Sequence, residues 1–65
     1  MPMTAERAKQ IRLAWQKIAG WPPDVPPVTP EEDAEIRAKW NTLSPFSTLY
    51  GALHVIEDAA KGGPA

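Results

Sequence analysis

The sequence predicts an all-α fold, a compact unit of three helices with a proline-rich linker and a tendency to self-associate. Three observations carry this. Ser44–Ala60 repeats its apolar residues at helical spacing, Thr29-Pro30-Glu31-Glu32 is a helix-starting phrase, and residues 4–21 reappear in altered form at residues 29–46.

The first helix is predicted over residues 5–19. Thr4 offers a hydroxyl to the free N–H groups of a helix opening at Ala5, and Gly20 suits a left-handed stop. Ala8, Ile11, Ala14, Trp15, Ile18 and Ala19 share one face, with Lys9, Arg12 and Gln16 opposite. Leu13 falls on the polar side, either as an isolated apolar residue or as part of a contact surface. Residues 1–3 read as a frayed start.

Residues 20–29 form the linker. Pro22, Pro23, Pro26 and Pro27 fix φ and push their predecessors toward extended backbone, giving a stiff polyproline-II-like spacer. Pro23-Asp24-Val25-Pro26 fits P-x-x-P without the flanking cation such ligands use, and reads as plain spacer.

The second helix is predicted over residues 30–43. Thr29 and Glu32 form a capping box with proline at the first helical position, and Glu31, Glu32, Asp33 and Glu35 suit the positive end of the helix dipole. Ile36, Trp40 and Leu43 make its stripe. Ser44-Pro45 looks like a second proline-started cap, placing the third helix at residues 46–60 after a very short connection. On that helix Phe46, Leu49, Tyr50, Leu53, Ile56 and Ala60 face one way, widened by Ala52, Val55 and Ala59 to an arc of ~200°. Ser47, Gly51, His54, Glu57, Asp58 and Lys61 are left for solvent. So broad an arc asks for cover on two sides, from both other helices or from a second chain. The small residues Ala52, Val55 and Ala59 mark the expected dimer face.

Superposing Thr4 on Thr29 exposes the duplication. Thr4/Thr29, Glu6/Glu31, Ile11/Ile36, Arg12/Arg37 and Trp15/Trp40 match at an offset of 25, and Ile18/Leu43 and Trp21/Phe46 are similar. These are capping and stripe positions, so the first two helices are expected to flank the third as a pair. Two units are too few for a solenoid.

Composition narrows the function. At 65 residues the chain is one small domain, for which association is a natural source of stability. With no cysteine there is neither a disulfide nor a thiolate zinc site. No cofactor is expected. No stretch has the ~20 apolar residues of a membrane span, and the start lacks the order of a secretion signal, so a cytoplasmic protein is the expectation. The net charge of −1 argues against general attraction to nucleic acid, yet it conceals two blocks. Arg7, Lys9, Arg12 and Lys17 outweigh Glu6 in residues 1–20, whereas residues 21–35 hold Asp24, Glu31, Glu32, Asp33 and Glu35 and no cation.

No catalytic pattern emerges. His54 has Tyr50, Glu57 and Asp58 within helical reach, but one helix does not aim such groups at a common atom, and an exposed or end-capping histidine is the expectation. A DNA-binding helix-turn-helix is the alternative, since the second and third helices have suitable lengths, but the third carries Lys61 beside two acids where a reading helix needs base-contacting side chains. Trp15 and Trp40 belong to the core by their place in the stripes. Trp21, past a helix end and before two prolines, either folds back or anchors a partner.

The second copy, TPEEDAEIRAKWNTLSPFSTLYGALHVIE, resembles very short proteins from the early regions of Mu-like transposable phages and prophages over residues 29–57. The shared phrase is T-P-E-E, I-R, a tryptophan, a turn with proline and an aromatic, then an A-L helix. This resemblance implies a takeover protein that binds a host regulator or defence protein and blocks it, as quorum-sensing anti-activators and anti-CRISPR proteins do. The reading is therefore a non-enzymatic binding protein. Leu13, Trp21, Arg37, Ala52, Val55 and Ala59 are its candidate contact residues.

Overall fold

The computed structural model describes residues 3–62. It contains α1 (Ala5–Trp15), α2 (Pro30–Asn41) and α3 (Leu49–Ala60), and α3 packs against both others while the α1 and α2 backbones do not approach each other. The all-α three-helix reading stands. Threonine starts every helix. Thr4 accepts from the N–H of Arg7, Thr48 from that of Gly51, and Thr29 from that of Glu32, whose carboxylate returns the bond to complete the capping box.

The duplication has a structural counterpart. Thr4 and Thr29 are both N-caps, Ile11 and Ile36 are both wholly buried, and Trp15 and Trp40 are both half-buried at the far ends of their helices. The core gathers Met3, Ala8, Ile11, Ile36, Leu53 and Ile56, with Trp15, Trp21, Val28 and Leu49 packed on it.

Helix boundaries differ from the sequence expectation at three ends. α1 stops at Trp15 rather than residue 19, because its last carbonyls find other donors. The N–H of Gln16 reaches Leu13, that of Lys17 reaches Ala14, and the Tyr50 hydroxyl donates to the Trp15 carbonyl at 2.9 Å. Ile18, expected on the stripe, is thereby left in water. α2 ends at Asn41, and α3 begins at Leu49 rather than residue 46. Ser44 and Pro45 do not cap α3. They make a turn in which the Ser44 carbonyl accepts from both the N–H and the hydroxyl of Ser47, and the Ser44 hydroxyl accepts from the N–H of Phe46. Residues 42–48 thus connect α2 to α3, a longer link than the 3–4-residue turn of a helix-turn-helix.

The linker is folded rather than uniformly extended. Val25 N–H closes a turn on Pro22, and Trp21 Nε1 donates to the Val25 carbonyl at 2.7 Å. Gly20 precedes this turn with φ +102°, a conformation side chains disfavour. Since a Cβ there meets no atom, Gly20→Ala is expected to cost about 1 kcal/mol in urea unfolding through backbone strain alone. Met3, expected to fray, is buried, and its N–H is held by both carboxylate oxygens of Glu35. Residues 1 and 2 lie outside the described part.

Two ion pairs settle how the charge blocks meet. Arg7 on α1 grips Glu32 on α2 through Nε and Nη2, at 2.7 and 2.9 Å. Arg12 Nη2 reaches Glu57 on α3 at 3.0 Å. The first pair joins opposite blocks within one chain. The second overturns the placing of Glu57 in solvent, for that residue is only 2% exposed.

Candidate interaction surface

The ends of α1 and α2 and the start of α3 converge on an open cleft of about 400 Å³, lined by Trp15, Trp40, Ser47, Thr48, Leu49 and Tyr50. Each wall has a structural reason. Trp15 and Trp40 are the repeat-related tryptophans that close their stripes, and Tyr50 meets Trp15 edge to face with ring centroids 6.3 Å apart. Tyr50 is fixed by its bond to the Trp15 carbonyl, and Trp40 by donating Nε1 to the Ser47 carbonyl at 3.0 Å. The lining carries no formal charge, and its volume falls within the ~300–1,000 Å³ range of small binding pockets.

Two apolar side chains flank this region in sequence and lie almost entirely in water. Ile18, three residues past Trp15, is fully exposed, and Phe46, adjacent to Ser47, is 93% exposed. Neither is a candidate contact on sequence grounds, because helical spacing places both on buried helix faces. The available signal was Thr48, a good N-cap that competes with Ser44 and sets Phe46 outside α3.

The six sequence-selected residues do not form one surface. Leu13 is exposed and borders a separate hollow with Gln10, Lys17, Pro22, Asp24 and Val25. Trp21 is folded back onto the core, so it is not a free anchor. Arg37 is exposed but bonds to Asp33 one turn earlier on its own helix. Ala52 is wholly buried within the chain, which removes it from any contact face and breaks the expected Ala52–Val55–Ala59 dimer surface. Around α3 the covered positions run Ala52, Ile56, Leu49, Leu53, Glu57, an arc of ~140° rather than ~200°. Val55 and Ala59 remain exposed on one flank of it.

Burial pushes the Glu57 carboxyl up, and the bonds from Arg12 and from Lys61, whose Nζ stands at 3.4 Å, outweigh it and hold the group below its ordinary value. The Arg7 fork lowers Glu32 to about 2, helped by the N–H of Thr29. His54 is exposed and lies 3.4 Å from Asp58. Among the described residues no three His, Cys, Asp or Glu side chains gather as a metal site, and no helix is long and apolar enough to cross a membrane.

The fold and cleft define a small three-helix unit whose most distinctive surface is an uncharged aromatic end. No protein-family model, curated protein or solved structure matches the chain.

Proposed function

We propose that this chain is a non-enzymatic modulator that occupies a surface of a larger protein, with the aromatic end as its contact. The resemblance to early phage proteins suggests a host regulator or defence protein as the target, met in the host cytoplasm. One observation carries the choice of surface. Phe46 and Ile18, close in sequence to the cleft residues Ser47 and Trp15, stand in water, although burying such side chains is worth about 1.5–3 kcal/mol each. A partner that covered them would recover that free energy, and buried aromatic anchors are the usual hot spots of protein interfaces.

Parallel pulldowns from host lysate with the parent chain and an Ile18→Ser/Phe46→Ser variant test this, with bound proteins identified by mass spectrometry. Because both side chains are exposed, the variant should unfold within about 0.5 kcal/mol of the parent. A protein retained by the parent and lost by the variant is the expected result. Identical recovery by both would reject the surface, and no recovery by folded parent would reject the function.

A further inference from the structure

We infer that Tyr50 is a latch on a stored turn of α1. Its hydroxyl holds the helix end at Trp15, and its release lets residues 16–18 join the helix with Ala19 as the cap. The latch decides whether Ile18 faces water, so it regulates the contact surface proposed above and, in that respect alone, rests on that reading.

α3 shows the kind of stop that α1 lacks. It runs to Ala60, its cap Lys61 donates an N–H to the Glu57 carbonyl at 3.1 Å, and Gly62 follows with φ +95°. Gly20 holds nearly the same angle, φ +102°, although α1 ends at Trp15. A glycine stop at residue 20 belongs to a helix through Ile18, whose cap Ala19 donates to the carbonyl four residues back, that of Trp15. The Tyr50 hydroxyl stands in place of that donor, 2.9 Å from the Trp15 carbonyl.

The segment is ready to wind. Gln16 is in the right-handed helical region, and the N–H groups of Gln16 and Lys17 reach Leu13 and Ala14 three residues back, so the chain already turns past Trp15. Residues 16–19 contain neither glycine nor proline. Arg12 meets Glu57 and Trp15 meets Tyr50, so α1 and α3 run antiparallel and a longer α1 passes beyond the start of α3. Ile18, now fully exposed, then follows Ile11, Ala14 and Trp15 at helical spacing on the α3-facing stripe. Winding gains that burial and gives up the Tyr50 bond. An acceptor that competes for the hydroxyl therefore withdraws Ile18 and weakens docking through it.

NMR of the full chain, parent against Tyr50→Phe, tests the latch. The position is 40% exposed, and phenylalanine keeps the ring beside Trp15 while deleting the hydroxyl. Cα shifts of residues 16–18 should move to helical values, an NOE should join Trp15 Hα to Ile18 Hβ, and the Ala19 amide should exchange about tenfold more slowly. Tyr50→Leu, which also lacks the hydroxyl, should wind the same turn. Adding Ala19→Pro removes the N–H that closes the turn and should abolish the new shifts and the NOE. Residues 16–18 that keep the parent's shifts in Tyr50→Phe overturn the inference, as does winding that appears only in Tyr50→Leu or survives Ala19→Pro. In the lysate pulldown, Tyr50→Phe should lose the share of capture that depends on Ile18. Winding with undiminished capture overturns the control of docking, whereas a parent that captures nothing rejects the proposed function and leaves the NMR result standing.

Discussion

Replacing Glu57 with alanine is expected to lower Tm by about 10–20 °C, although its charge makes this residue read as solvent-facing on α3. Its carboxylate is enclosed between α1 and α3, with Arg12 on one oxygen and Lys61 near the other. The Arg12 Nε is itself buried and has no hydrogen-bond acceptor, so Glu57 is the main compensation for a guanidinium drawn partly out of water. Removing it leaves that cation partly buried without its carboxylate, and a 65-residue chain has little reserve to absorb the loss. An Arg12→Met/Glu57→Met pair should recover most of the lost Tm, because no charge is then stranded. Thermal unfolding of both variants decides the matter, and a Glu57→Ala protein melting within a degree or two of the parent would show that the pair contributes nothing. The sign with pH follows from the lowered carboxyl. The contribution is complete above the ordinary glutamate range and is lost as pH falls through the folded value.

The contrast between Thr29 and Glu57 separates what can be read in this sequence from what cannot. A capping box is a contact among four consecutive residues, so both N-terminal caps, the start of α2 and the burial of Ile11 and Ile36 were legible. The end of α1 was not. Gly20 looks like its terminator, but the Trp15 carbonyl is taken by the Tyr50 hydroxyl from 35 residues away. Likewise spacing places Glu57 within the α3 arc beside Tyr50, but a carboxylate reads as solvent-facing, and the partner that allows its burial is Arg12, 45 residues distant. The start of α3 was misplaced for a local reason. Ser44-Pro45 and Thr48 both resemble caps, and neither has the acid three residues on that identified Thr29. That error concealed the candidate site, since moving the helix start from residue 46 to Leu49 turns Phe46 from a core residue into an exposed one.

Arg7→Ala is expected to cost about 2–3 kcal/mol in urea unfolding and to loosen the linker. This one guanidinium bonds both oxygens of Glu32, the Gln10 side chain, and the carbonyls of Pro26 and Pro27. It therefore sets where the proline-rich segment lies and ties α2 to α1 through side chains. Prolines lack an N–H, so their carbonyls are the only backbone groups by which the segment can be held there. Hydrogen exchange at Val25, whose N–H is bonded to Pro22, should quicken in the variant while the α3 amides Leu53 and Ile56 change only by the global loss. Arg7→Lys keeps the charge and loses the two-pronged geometry, so it should restore less than half of the stability. The acid limb supplies an independent check. With Glu32 at about 2 in the folded chain and near 4.3 when unfolded, its contribution is whole above about pH 5 and disappears as pH falls toward 2. Arg7→Ala should flatten that limb. A variant as acid-sensitive as the parent would mean that the Thr29 capping box, rather than the bridge between helices, holds the Glu32 carboxylate ionised.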